Sequence, residues 1–482
     1  MYWQSVSPCS FLRTRDSSCH EIESGRKKRQ VVAIRKQIDF TEGSMLSSIV
    51  VFAVPLMTGE LLQNLYNSVD AIIVGNFVGE EALAAVTVCS IITNLVTNFF
   101  NGMSVGANVV VSCAFGARNE EKLLKSIRVS FSFALFLGAC FSALGALFTP
   151  QILSVADPIE EYYTQALSYL RIYMGGLLFT VVYNSGAGIM RAIGDSRTPF
   201  CVLTMTCALN AVLDIIFVRG FGMGVAGAAV ATVIAQAISA ILIYCALCRT
   251  CKIQCIDFYE MFRVGGEVIK QILAVGFPAG IQSAVIGLSN LFVVRYMNLF
   301  DTVTVAGIGI AQRLDRFIMM PAKTFGITIT TCVSQNIGAQ QPARIKEGKN
   351  KCMIASLTVT VVLCIIVLSF SKECVALFNS NPDVISVGVA MMRVLIPLFP
   401  IIGVRDVYIG YLRGYGKTFW PTVAMLTGMV GVRQLYLLIA MKRNLTEENI
   451  YFCYPIAWIA SLLLVMIYYF AVRSDCIKEE RP

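Results

Sequence analysis

The chain has 482 residues, 56% apolar and only 14% charged, against roughly 25% charged in soluble domains. That scarcity excludes intrinsic disorder, and a soluble multidomain protein is excluded because past residue 43 no long polar stretch separates the apolar runs. The formal net charge of +9 forms no basic face interleaved with aromatics, which argues against a nucleic-acid partner.

Residues 1–43 carry eight Lys and Arg, including the run Arg26-Lys27-Lys28-Arg29, and lack the apolar core of a signal peptide. They are expected to form a disordered cytoplasmic tail drawn to anionic headgroups. Twelve apolar runs follow, near 45–69, 82–113, 124–148, 162–190, 199–218, 225–248, 267–297, 303–334, 352–370, 384–411, 419–441 and 451–472. A helix needs ~20 apolar residues to cross ~30 Å of hydrocarbon, and these runs are too long and too uniformly apolar for barrel strands. The expected fold is therefore an all-α integral membrane protein with twelve transmembrane helices.

The breaks between runs set the orientation. Those after the even-numbered runs, with the C-terminal tail, hold nineteen Lys and Arg, Arg191 and Arg413 among them; those after odd runs hold four. Basic loops stay inside, so both termini are expected in the cytoplasm; the expected location of this multi-pass protein is the plasma (inner) membrane. Seventeen cysteines, mostly within apolar runs, suggest a disulfide-free protein. The run Cys245, Cys248, Cys251, Cys255 has an iron–sulfur-like spacing. It lacks the expected proline and begins inside the sixth helix, so it reads as an incidental group of thiols. The sequon at Asn444 would face outward in a short loop and reads as incidental.

An internal repeat emerges at an offset of 222. Ser112-Cys113-Ala114-Phe115-Gly116-Ala117 aligns with Ser334-Gln335-Asn336-Ile337-Gly338-Ala339, and Gly188-Ile189-Met190-Arg191 with Gly410-Tyr411-Leu412-Arg413. Arg171, Gly194 and Pro199 fall on Arg393, Gly416 and Pro421, and Pro55 matches Pro278 with one residue of slippage. Six spans per half enter the membrane in the same direction, which is the parallel-repeat arrangement of transporters. The expected organisation is a first lobe over 44–248, an inter-lobe linker over 249–266, a second lobe over 267–472 and a cytoplasmic tail over 473–482.

Ionisable groups inside spans are expensive and mark pathways or pairs. In the first span Glu60, Asn64, Asn67 and Asp70 share one helix face; in the fifth, Asn210 and Asp214 lie four apart on another. With Asn184 of the fourth span they offer the oxygen ligands that suit protons and hard cations. Glu60, nearer the inner end, is the weaker candidate. Asn94, Asn98 and Asn101 of the second span are candidate cavity-lining residues, with interhelical hydrogen bonding as the equal alternative. The second half instead holds Arg295, Arg313, Arg316, Lys323, Arg393, Arg405 and Arg433 against Asp315 and Asp406. The repeat superposes Asn184 on Asp406 and Ala211 on Arg433, so an Arg433–Asp406 pair is expected where the first half has its cation cluster, and both residues are candidate cavity-lining groups. Asp315 is expected to pair with a neighbouring helix.

Taken in order, Leu65-Tyr66-Asn67-Ser68-Val69-Asp70, Gly102-Met103-Ser104-Val105-Gly106-Ala107-Asn108, Met190-Arg191-Ala192-Ile193-Gly194-Asp195-Ser196-Arg197-Thr198-Pro199, Leu209-Asn210-Ala211-Val212-Leu213-Asp214, Gly276-Phe277-Pro278-Ala279-Gly280 and Gln335-Asn336-Ile337-Gly338-Ala339 carry a family resemblance over residues 38–472. The chain resembles the prokaryotic type of the multidrug and toxic compound extrusion (MATE) family. The resemblance implies a V-shaped antiporter of two six-helix lobes that exports organic, mostly cationic, drug-like compounds in exchange for H+ or Na+. It also implies a coupling-cation site at Asp70, Asn184, Asn210 and Asp214; a further asparagine of some relatives is Ala187 here.

Neutralising the buried acids would shift the balance between outward-open and inward-open forms, since burial favours the neutral form of a carboxylate. Pro55, which removes a backbone hydrogen bond from the first helix, is the expected bending point. Apart from Na+, no metal and no cofactor is expected, and the expected partners are small molecules and lipid, with the chain a monomer. The alternative within transport is a lipid or lipid-linked sugar flippase of the same superfamily. An enzyme is disfavoured: the only histidine is His20, and no nucleophile–base set appears. A channel is disfavoured by the absence of a selectivity ring.

Overall fold

The structure is a computed structural model that describes residues 37–154, 160–252 and 254–479, without the side chains at 65–72, 74, 76, 80, 160, 161 and 474–479. Among these residues the secondary structure is entirely helical. The spans are α1, Met45–Phe77; α2, Glu80–Gly116; and α3, Glu120–Leu147. α4 is a pair, Glu160–Gly175 and Leu177–Ala192, bent by 45°. α5 is Arg197–Asp214, continued by a π-helical stretch over Ile215–Gly220, and α6 is Gly224–Cys251. The second half begins with α7, Gly266–Met297; α8, Thr302–Gly338; and α9, Pro342–Ser369. α10 joins Pro382–Leu395 to Phe399–Gly414 through a 3₁₀ turn. α11 is Phe419–Leu426 and Arg433–Arg443 around a π-helical stretch at Thr427–Val432, and α12 is Glu447–Glu479.

Among the described residues eleven helices are long and apolar enough to cross a bilayer, and the bent pair makes twelve. Polar first turns outrun the apolar runs that announced them. α9 starts at Pro342 rather than near 352 because its basic first turns extend the helix past the hydrocarbon. Side-chain caps start several helices: Asn119 accepts from the Lys122 N–H at 3.0 Å and Asp301 from the Thr304 N–H at 2.9 Å. Exposure runs opposite to that of a soluble protein. Val362, Ile365 and Ile366 of α9 face outward, whereas Thr328, Thr331, Ser334, Gln335 and Asn336 of α8 are buried. That distribution suits a lipid solvent around a polar interior.

The repeat is present atom by atom. Asn108 Nδ2 donates to the Gly188 carbonyl at 3.1 Å, and Thr330 Oγ1 donates to that of Gly410 at 3.1 Å. One turn on, Ser112 Oγ donates to Ala192 at 3.4 Å and Ser334 Oγ to Gly414 at 3.1 Å. Each pair is related by the offset of 222. Gly194 and Gly416 share it too, with φ of +87° and +75°, a region that favours glycine.

Phe40, Met45, Ile49 and Phe52 pack into the apolar core of the second half. The chain before α1 is held in place. The Ile38 N–H donates to Gly194 (3.1 Å), and Arg118 pairs with Asp39 (2.5 Å) and Glu42 (2.8 Å), all contacts to the first half. From the second half, Gln335 Oε1 accepts from the Phe40 N–H at 3.1 Å, and Asn336 (3.2 Å) and Arg344 (3.0 Å) donate to its carbonyl. Residues 37–43 therefore depart from the disordered tail expected over 1–43, because burial of Phe40 and satisfied backbone groups fix them; residues 1–36 lie outside the description. The expected linker carries a short helix, Phe258–Val264, whose Met261 is buried against Val129 and Ile272. Cys113 is disulfide-bonded, which corrects the disulfide-free expectation; the other cysteines whose side chains are described are free.

Candidate functional site

The end of the bundle where α2 and α8 terminate is sealed by backbone-close contacts. A Cβ added at Gly116 would overlap the Gln335 carbonyl, and its repeat equivalent at Gly338 would overlap that of Cys113. Thr331 Oγ1 donates to Asn108 Oδ1 across the same seam at 3.2 Å, and Gln335 Nε2 donates to the Ala192 carbonyl at 2.8 Å.

Beyond this seal lies a cavity of about 360 Å³ lined from both halves of the chain. The first half contributes parts of α1, α2, α4 and α5, and the second half contributes α7, α8, α10 and α11. Its wall alternates apolar groups such as Leu56, Phe200 and Ile409 with amides and six charged side chains, Glu60, Arg191, Lys323, Arg405, Asp406 and Arg413. Glu60 of α1 pairs with Lys323 of α8 at 2.7 Å, and Asp406 pairs with its neighbour Arg405 at 2.9 Å.

The expected residues distribute unevenly around this cavity. Asn184, Asn98, Asn101, Asp406 and Pro55 line it, as does Ala187. Pro55 lies within a continuous α1. Asn210 and Asp214 sit one turn apart on α5, 1% and 0% exposed, outside the cavity wall. The side chains of Asn67 and Asp70 lie outside the description. Asn94 is exposed and does not line the cavity, its position on α2 lying beyond the wall. Arg433 corrects the expected Arg433–Asp406 pair. It is 1% exposed and donates to Ser289 Oγ at 2.6 Å and Asn290 Oδ1 at 2.9 Å of α7, while Asp406 is taken by Arg405. Asp315 keeps one carboxylate oxygen buried without a hydrogen bond among the described residues, rather than pairing with a neighbouring helix.

Arg191 and Arg413 were missed as site residues because their proximity to chain breaks placed them among the loop bases. They stand in the last turns of α4 and α10, facing the cavity. The repeat was the signal that could have found them. Both π-helical stretches also escaped the sequence, one following Asp214 and the other preceding Arg433; such turns recur at functional sites. Among the described residues no three His, Cys, Asp or Glu side chains gather in a geometry for a metal.

The Glu60–Lys323 pair joins the two halves inside the cavity, with side chains 28% and 58% exposed. Such a pair contributes about 0–1 kcal/mol to stability, so its removal should leave detergent melting temperatures little changed. Lys323→Glu alone sets two acids face to face and is expected to slow transport. The exchanged pair, Glu60→Lys with Lys323→Glu, should recover most of the rate, which a double-mutant cycle of transport rates measures.

Twelve spans in two repeats around one polar cavity define a membrane transporter. A family model described as MatE matches residues 55–216 and 278–436, once in each half. The chain belongs to the MatE family and is a multi-pass transporter rather than an enzyme. It is 29% identical to the probable multidrug resistance protein YpnP of Bacillus subtilis over 84% of this chain and 94% of that protein. It is 26% identical to the probable multidrug resistance protein NorM of Thermotoga maritima, covering 82% and 83%. A solved outward-facing multidrug resistance MATE transporter of the MOP superfamily superposes with a TM-score of 0.83 at 20% identity, covering 93% of this chain and 99% of that one.

Proposed function

We propose that this protein is a secondary active antiporter of the plasma membrane, working as a monomer with both termini in the cytoplasm. It exports drug-like organic compounds in exchange for inward H+ or Na+. The coupling cation is taken by Asp70, Asn184, Asn210 and Asp214, and neutralisation of the two acids shifts the balance between outward-open and inward-open forms, with Pro55 as the bending point of α1. The observation that carries this reading is the cavity closed at its inner end by a pseudo-symmetric α2–α8 contact, since a seal of that kind parts when the halves rock. The expected cationic character of the substrates has less support, because both described carboxylates of the cavity are engaged.

The flippase reading is favoured by one observation, the two cavity arginines that form no ion pair among the described residues, which suit a phosphate. Efflux of a fluorescent panel including ethidium, measured in producing cells with and without Na+ and with an uncoupler, tests the proposal. Efflux that falls when Na+ is withdrawn or the uncoupler is added is expected. Efflux of no member of the panel, or efflux indifferent to both treatments, would overturn the antiport reading.

A further inference from the structure

The cavity's charges do not balance. Of the six charged side chains on its wall, Glu60 and Lys323 neutralise each other, as do Asp406 and Arg405. Arg191 and Arg413 remain, and neither makes an ion pair among the described residues. Arg413 donates to Gln282 Oε1 at 3.1 Å, an oxygen that also accepts from Thr422 Oγ1 at 3.2 Å. The Nε of each arginine is buried without a hydrogen-bond partner.

These two arginines are repeat equivalents. The Gly188 carbonyl one turn before Arg191 accepts from α2, and the Gly410 carbonyl one turn before Arg413 accepts from α8, in matching geometry. The pseudo-twofold relation thus brings both guanidinium groups to one shared cavity from opposite halves. Two half-buried cations in excess of the carboxylates on the cavity wall are costly. A guanidinium offers planar paired donors that match a carboxylate or a phosphate, while Leu56, Phe200 and Ile409 supply apolar surface beside them.

We infer that the cavity binds an amphiphilic organic anion, its carboxylate or phosphate held between Arg191 and Arg413 and its apolar body against the α1, α5 and α10 wall. This names a substrate class for the transporter proposed above and rests on that reading for export, though not for binding. The anionic group can belong to a soluble compound or to a lipid headgroup. Binding to both halves at once gives such a ligand a differential affinity for one relative position of the halves, which is what a transported substrate requires.

The test measures binding of carboxyfluorescein to the purified full-length protein by fluorescence anisotropy, with short-chain phosphatidylglycerol as competitor. Saturable binding is expected, and Arg191→Gln with Arg413→Gln should weaken it by about tenfold or more. Arg191→Lys with Arg413→Lys should restore part of it. Size-exclusion elution and thermal melting of each variant establish that it is folded. Displacement by the phospholipid identifies the lipid source, and its absence the soluble one. No saturable binding, or affinity unchanged in a folded Gln variant, would overturn the inference. Ethidium efflux without carboxyfluorescein binding would sink the anion assignment and leave antiport standing. Arginine-dependent binding without efflux of any dye would do the reverse.

Discussion

Asp214→Asn protein is expected to bind its substrates and to exchange them at equilibrium, yet to lose concentrative export driven by an H+ or Na+ gradient. Asp214 is fully buried at the last α-helical turn of α5, with Asn210 one turn before it and a π-helical stretch immediately after it. The amide is nearly isosteric with the carboxylate and keeps an oxygen acceptor, so packing is retained. What disappears is the change of charge when a cation arrives. Coupling energies between sites are usually about 1–3 kcal/mol, roughly 5–150-fold, and gradient-driven uptake into inverted proteoliposomes should fall by a factor in the upper part of that range. Counterflow under equal ion concentrations should stay close to the parent rate. Asp70→Asn is expected to give the same split. Full gradient-driven transport by either variant would remove that residue from the coupling site.

The spans and their pairing into two halves were readable because lipid imposes a coarse rule. Runs of about 20 apolar residues must be helices, and their count is checked by the loop bases. The offset of 222 was readable for a similar reason: Gly188 and Gly410 permit close backbone approach, and Ser112 and Ser334 make equivalent hydrogen bonds, so the same local chemistry recurs in each half. The charge arrangement of the cavity was not readable. Hydropathy is blind to which side of a helix end a side chain occupies, so Arg191 and Arg413 were counted with the loops. The Glu60–Lys323 pair joins residues 263 apart in sequence, and only the fold brings them together. The expected Arg433–Asp406 pair failed for the converse reason. Superposing repeats transfers backbone positions but not side-chain partners, and Arg405 lies beside Asp406.

Gly116→Val is expected to open the α2–α8 seal. At this point α2 and α8 touch backbone to backbone, and the obstacle to a new side chain is the Gln335 carbonyl, which no rotamer change can move aside. The helices themselves must separate. Forced overpacking typically costs about 1–3 kcal/mol, which lowers the share of the sealed form by roughly 5–150-fold if the open form bears none of that cost. The same argument holds for Gly338→Val, whose obstacle is the Cys113 carbonyl. Because the two sites share one contact, the double variant should do little more than either alone. Gly309→Ala, on α8 with open space at its Cβ position, is the control and should behave as the parent. A cysteine at Thr331, whose hydroxyl bridges to Asn108 across the seam, reports the outcome in a background lacking the exposed native cysteines. With the seal intact a membrane-impermeant maleimide reaching the inner end should leave it unmodified. In Gly116→Val it should be labelled, and export should fall in parallel. Unchanged protection together with unchanged transport would mean that the α2–α8 contact is not the gate.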